Sequence, residues 1–199
     1  MKDDFSVEGF SIPPHPKGAT LIGKSVRLEP LNIEKHSEDL HNANIVDVDS
    51  LNWIYLPYGP FQRLDDYQKW LKIEATKDDP TFFAIRRLTD GKAVGIASFL
   101  RINRTYGSIE VGHINYSSLL QKTKEGTEAM YLMMMWAFEN GYRRYEWKFN
   151  ALNLKSRYAA QRLGFSYEGV FRRCCQTNLN TCKRHIKLMI MRHRNWTNL

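Results

Sequence analysis

At 199 residues, 43% hydrophobic and 25% charged, the chain has the length and composition of one ordinary globular domain with a sizeable core. It has no apolar run near the roughly 20 residues of a membrane span, and its opening stretch MKDDFSVEGFSIPPHPKG carries acids and prolines where a signal peptide has an apolar segment. Three cysteines, two of them adjacent, make a poor disulfide framework, so a reduced, cytoplasmic protein is expected rather than a membrane or disulfide-stapled one.

The formal charge of +8 is concentrated at one end. Residues 169–199 hold seven basic side chains (Arg172, Arg173, Lys183, Arg184, Lys187, Arg192, Arg194) and no acid, leaving 22 basic against 21 acidic residues in 1–168. A one-sided basic end suits an acidic partner. Neither a glycine–aromatic RNA-binding signature nor a helix-turn-helix pattern accompanies it, so a solvated strand and tail is the plainer reading and nucleic acid is not the expected partner.

In chain order, residues 1–20, with Pro13, Pro14 and Pro16, read as an extended or disordered lead-in, and 21–199 as a single domain. Lys24 to Leu31 alternates Val26 and Leu28 with Arg27 and Glu29, as a strand does. Ile33 to Asn44 is weakly helical. Trp53 to Phe61, WIYLPYGPF, sets Pro57, Gly59 and Pro60 among aromatics and predicts an ordered loop. Leu64 to Thr76 is a helix with Asp65 and Asp66 at its positive end. Two strands, Thr81 to Leu88 and Lys92 to Ile102, flank an Asp90-Gly91 hairpin turn, and Ser108 to Tyr116 follows as a third.

A polar loop with Lys122, Lys124 and Gly126 then leads into a helix whose Met130, Met133, Met134 and Ala137 share one face, as core residues do. Asn140-Gly141 stops that helix. Arg143 to Phe149 is a strand, Asn153 to Leu163 a short helix closed by Gly164, and strands over Tyr167 to Cys174 and Arg184 to Arg192 complete the pattern. An antiparallel start that turns into β-α-β-α-β predicts a mixed sheet with helices on its faces. The strand–loop–helix unit from Ile109 to Met135 is an anion-site candidate, because first-turn N–H groups and the helix dipole converge there.

The order of elements resembles the GNAT (acyl-CoA N-acyltransferase) superfamily, in particular its ribosomal-protein N-terminal acetyltransferase branch. The residues that carry the resemblance run from the VRLEPL strand through FFAI, DGKAVGIASF and IEVGHINYS to NLKSRYAAQRLGFSYEG. The last of these holds Asn153, Ser156, Leu163-Gly164-Phe165 and Glu168-Gly169. The resemblance implies a mixed α+β GNAT fold, with a mostly antiparallel twisted sheet of about six to seven strands flanked by about four helices. It further implies an N-acetyltransferase that moves an acetyl group from acetyl-CoA to a primary amine, a small molecule or a protein N-terminus, by direct attack in a ternary complex.

In the family the loop before the helix holds the coenzyme A pyrophosphate. Here it reads Gln121, Lys122, Thr123, Lys124, Glu125, Gly126, with Thr127 following. Lys124 stands where the family has a central glycine, which narrows the allowed backbone geometry there, and a plain helix cap by Thr123 or Thr127 is the reading without the family. Glu110 is then the candidate base or amine-positioning carboxylate, with a surface carboxylate as the alternative. Backbone N–H groups after Val111 are the candidate oxyanion donors.

Many members carry a tyrosine seven residues after the helix asparagine to protonate the leaving thiolate. This chain has Ala160 there, and Tyr158 is rotated about 200° away on the helix. The resemblance implies Ser156 as the candidate acid, since members of the similar branch use a serine near this point, with a hydrogen bond to the last helical turn as its plain alternative. Asn153 is expected at the pantetheine arm or as a helix cap. Trp53, Tyr55, Tyr58 and Phe61 are the candidate acceptor pocket, able to meet an amine through cation–π attraction, or else packing beneath their loop.

The end of the chain departs from the family. RRCCQTNLNTCKRHIKLMIMRHRNW replaces a Lys/Gly/Arg turn and an Arg-Asp-Thr strand, so the acceptor wall is basic. That suits an acidic acceptor, or an impaired enzyme that keeps cofactor binding or contacts RNA. Cys174, Cys175, Cys182 and His185 fit zinc spacing poorly, and no metal is expected. Either a monomer or a dimer is compatible with the sequence.

Overall fold

The computed structural model describes residues 9–172 and 187–193, with side chains up to residue 171. Strands β1 (Leu21–Ile22) and β2 (Val26–Pro30) lead into helix α1 (Ile33–Asn44). A single 3-10 turn (Leu51–Trp53) and α2 (Leu64–Glu74) precede the strands β3 (Thr81–Arg87), β4 (Ala93–Asn103) and β5 (Ser108–Tyr116). Helix α3 (Lys124–Glu139) crosses to β6 (Arg144–Asn150), followed by α4 (Leu154–Arg162), β7 (Ser166–Arg172) and β8 (Lys187–His193).

The strands form one sheet in the order β1-β2-β3-β4-β5-β6-β8-β7. Every neighbouring pair is antiparallel except β5 and β6, which α3 connects as a parallel crossover. Eight strands, counting the two-residue β1, slightly exceed the six to seven expected, and the four helices are as expected. No helix among the described residues is long and apolar enough to cross a membrane.

Alternation along the strands divides the core between the two faces of the sheet. Phe83, Ile85, Ile109, Val111, Tyr145, Trp147 and Phe149 pack against α3 and α4, with Met130, Met133, Met134 and Ala137 supplying the helix side. Phe82, Ala84 and Ile96 face α1 and α2 and meet Leu40, Trp53, Tyr67 and Leu71.

Helix α1 is weakly periodic in sequence because its inward stripe is polar: His36, Ser37, His41 and Asn44 are buried beside Leu40 and Ala43. Asn32 caps it by accepting the Lys35 N–H at 2.9 Å. Buried Glu29 anchors the start of α1 to the sheet, contacting Lys35 at 2.7 Å, His36 at 2.9 Å and Arg86 at 3.2 Å. The Asn32 N–H donates to His36 Nδ1, so His36 donates to Glu29 from Nε2, and burial keeps this imidazole below its ordinary pKa and neutral.

Candidate active site

Helix α3 begins at Lys124, with Thr123 as its N-cap. Thr123 Oγ1 accepts the Gly126 N–H at 3.0 Å and donates to the Leu120 carbonyl at 2.8 Å, so the cap read from the bare sequence is formed. Among the described residues, the N–H groups of Thr123, Lys124 and Glu125 have no acceptor within the chain. They point out of the positive end of a 16-residue helix.

The left-handed residue of this loop is Lys122, at φ 59°, and not Lys124. The family's central glycine position is therefore an ordinary helical residue here, and the expected narrowing of geometry at Lys124 does not arise. Gly126 is required for space. A Cβ there would lie 2.5 Å from the Leu120 carbonyl oxygen and 3.0 Å from the Tyr116 ring.

The loop opens onto a gap in the sheet. Parallel pairing of β5 with β6 runs from Ser108 opposite Arg144 to Val111 opposite Trp147 and then ends. Beyond that point β5 stays with β4, and β6 stays with β8. A bulge drives the divergence: between the pairs Ser98–Gly112 and Ile96–Asn115, two residues, His113 and Ile114, oppose the single Ala97. His113 is left-handed, at φ 50°.

The gap continues into a cleft of ≈ 710 Å³. Trp147, Met130 and Leu120 form its floor, the loop 51–56 its roof, and α4 its far wall. Two contacts fasten the roof: Gln121 donates to Asn52, and the Tyr55 hydroxyl donates to the Leu152 carbonyl at 3.1 Å.

The predicted residues are sorted by this geometry. Gln121, Lys122, Thr123, Gly126, Thr127, Asn153, Ser156 and Tyr55 all line the cleft. The Gln121 amide is already spent on Asn52 and on the Tyr116 carbonyl. Asn153 caps α4 by accepting the Ser156 N–H at 3.1 Å, while Ala160 is buried in the core and Tyr158 sits exposed at the rim. Lys124 and Glu125 head α3 beside the cleft. Val111 is buried directly before Gly112, which lines it.

Three of the four pocket aromatics are elsewhere. Trp53 meets Phe61 edge-on at 5.5 Å, and Tyr58 lies against Trp70 at 4.2 Å. All three belong to the core beneath the loop, because packing rings against α2 buries more apolar area than a solvent-facing wall would. The packing alternative holds for them, and Tyr55 alone reaches the cleft.

Glu110 lies on the face opposite α3 and α4, only 2% exposed. It is held from both sides: Arg101 Nη1 is 2.7 Å from one oxygen and Lys148 Nζ 2.5 Å from the other. Lys148 also contacts Glu146, which pairs with Arg144, which in turn pairs with Glu168. The result is a ladder of alternating charge, Arg101–Glu110–Lys148–Glu146–Arg144–Glu168, running across β4, β5, β6 and β7. Burial pushes the Glu110 carboxyl above the usual carboxylate range, against the pull of Lys148 and Arg101. Burial acts the same way on Glu146, but hydrogen bonds from Lys148 and Arg144 outweigh it and hold that carboxyl below its ordinary value.

Lys148 and His113 line the cleft, and neither was singled out from sequence; nor was Arg101. His113 stacks on Tyr58 at 5.6 Å with Nδ1 enclosed and unpartnered, and burial lowers its pKa to about 4. The alternation of RYEWKFN, apolar at 145, 147 and 149 and charged at 144, 146 and 148, was the available signal for Lys148. Nothing local marks a bulge at His113. The cysteines and His185 weighed for zinc lie outside the described residues.

The sequence matches the acetyltransferase (GNAT) domain family over residues 25–166. The structure is similar to that of a GCN5-related N-acetyltransferase from Brucella melitensis, at 33% identity and TM-score 0.89, covering 94% of this chain and 84% of that one. It is also similar to a probable GNAT-family acetyltransferase from Chromobacterium violaceum, at 30% identity and TM-score 0.85, covering 95% and 92%. The microcin C7 self-immunity acetyltransferase MccE, solved in complex with acetyl-CoA and AMP, shares the fold at 16% identity and TM-score 0.72, covering 87% and 94%. No curated protein matches the sequence.

Proposed function

The chain belongs to the GNAT acetyltransferase family, and from that premise we propose that it transfers an acetyl group from acetyl-CoA to a primary amine by direct attack in a ternary complex. The observation that carries the reading is the junction of two features. One is the gap between β5 and β6; the other is the set of open N–H groups at the start of α3. An anion-binding helix end beside an elongated apolar-floored cleft fits a ligand with a pyrophosphate head and a thin thioester arm.

Bound acetyl-CoA would supply the activated acyl group. The N–H groups of Thr123, Lys124 and Glu125 would hold the pyrophosphate, with the exposed Lys122 and Lys124 side chains adding charge. Backbone N–H groups after Val111, in the bulged part of β5, serve as the oxyanion donors. Ser156, which lines the cleft, would return a proton to the leaving sulfur. Glu110 does not line the cleft and works through Lys148, which it holds there with Glu146. Its role is therefore positional, and deprotonation of the acceptor ammonium falls to water in the cleft.

The test has two stages. Acetyl-CoA at 100-fold excess over its Kd should stabilise the protein by about 2.7 kcal/mol, read as a thermal shift. The exposed pair Lys122→Glu and Lys124→Glu together should remove that shift, and absence of a shift in the unaltered protein overturns the reading. Purified protein should then acetylate members of an amine panel. The double ion pairing of Glu110 favours a second reading, a coenzyme A-binding module without turnover. Binding of acetyl-CoA with no acetylated amine would select that one.

A further inference from the structure

We infer that the acceptor is an amine carrying an anionic group on the carbon next to its nitrogen, as a free amino acid does, and that Arg101 is the residue that selects it. The inference rests on the transfer reading above and deepens it.

Charge on the face of β5 and β6 opposite α3 is the first observation. A simple cationic amine, or the ammonium of a polypeptide N-terminus, needs a carboxylate to offset its desolvation. Each carboxylate of the ladder is already engaged by a cation: Glu110 by Arg101 and Lys148, Glu146 by Lys148 and Arg144, Glu168 by Arg144. The cations have capacity to spare. A guanidinium carries five N–H donors, and the Arg101 side chain is 58% exposed while spending one nitrogen on Glu110. The strand pairing sets Arg192 in register with Glu146.

The second observation is how Arg101 is held. It is a non-glycine residue at φ 48°, a left-handed conformation that costs roughly 1–2 kcal/mol for an L-residue. Asp79 fixes it there: one carboxylate oxygen accepts the Arg101 N–H and the other the Ile102 N–H, each at 2.9 Å. The turn coincides with an irregularity in the β4–β5 ladder between Leu100 and Asn103. Strand geometry would have alternated residue 101 away from its neighbours' face in the ordinary way. The Asp79 clamp instead delivers its guanidinium to a carboxylate that also touches the cleft-lining Lys148. Strain held by a dedicated clamp is characteristic of positions that serve a site.

An α-amino acid offers the matching pair of groups: its carboxylate to the free donors of Arg101, its nitrogen toward the bulged part of β5. A polypeptide N-terminus lacks that carboxylate, as does a decarboxylated amine.

The experiment compares three acceptors of one skeleton, L-phenylalanine, L-phenylalaninamide and phenethylamine, with the L-histidine series as a second set. The amino acid should exceed its amide and its amine by roughly tenfold or more in kcat/KM, the scale of one charge-assisted contact. In Arg101→Gln the preference should fall to about threefold or less, through KM with kcat little changed, as expected for lost ground-state binding. Arg101→Lys, which keeps the charge and loses the fork, should recover part of it. Equal use of the three forms, or a preference unchanged in Arg101→Gln, overturns the inference while leaving acetyl transfer standing. If no acceptor turns over although acetyl-CoA binds, the transfer reading fails instead. The same series is then titrated calorimetrically into the coenzyme A-loaded protein, where the same inequality is required.

Discussion

Removing the Lys148 ammonium tests whether the charge ladder stabilises this part of the sheet. Lys148→Met keeps the length of the stem and takes away the charge between Glu110 and Glu146. The three side chains are 12%, 3% and 16% exposed, so water replaces little of what is lost. Breaking a fully buried ion pair by deleting one partner costs about 3–5 kcal/mol. Here Arg101 remains on Glu110 and Arg144 on Glu146, so about 2–3 kcal/mol is expected at pH 8.

The cost should depend on pH in a defined direction. Glu110 already has its carboxyl raised by burial against the pull of its two cations, and losing one cation raises it further. A carboxyl raised in the folded state binds protons there before the unfolded chain does. The penalty is therefore complete above the raised value and shrinks as pH falls toward the ordinary 4.5. Urea unfolding at pH 8 and pH 5 should show the penalty smaller by about 1 kcal/mol or more at the lower pH. Adding Glu110→Gln to Lys148→Met should bring stability back to within about 1 kcal/mol of the starting protein, because the stranded charge is gone. If Lys148→Met is as stable as the starting protein at pH 8, or the double variant is no better than the single, the ladder does not carry the energy assigned to it.

Two further outcomes follow from local geometry. Gly→Ala inside a helix ordinarily stabilises by about 0.5–1 kcal/mol, yet Gly126→Ala should destabilise by about 1–3 kcal/mol, since its Cβ meets a carbonyl oxygen at 2.5 Å; a denaturation midpoint at or above that of the starting protein contradicts the close approach. The Glu29 carboxyl is opposed by burial but, bound by Lys35, His36 and Arg86, is lowered to about 2. Its contribution is present above 4.5 and is lost as pH falls toward 2, on the order of 3 kcal/mol in all. Glu29→Gln should flatten the acid limb of the stability curve between those values, and an unchanged slope would remove Glu29 from the acid response.

The elements were largely readable because their signals are local. Ile33–Asn44 and Ser108–Tyr116 span the residues expected of them, and Asp90-Gly91 makes the hairpin. The methionine stripe is buried in the larger core. Aromatic character misled at Trp53, Tyr58 and Phe61. A ring's affinity for a core and for a ligand wall arises from the same apolar surface, and only the position of α2 separates the two.

Lys124 misled for a different reason. A glycine pattern tells that some residue of a loop is left-handed but not which, and the turn placed the positive φ at Lys122. Cap, helix and the spacing of Asn153 and Ser156 needed only neighbours along the chain, so the sequence by itself determined the capped start of α3 and the family. Tertiary structure alone decided the charge ladder across the sheet. Glu110, Arg101 and Lys148 come from three strands, and their charges have meaning only once a parallel crossover and two bulges bring both cations within 3 Å of the carboxylate. Pairing across a sheet is a long-range event with no local signature, and there the linear order of residues falls silent.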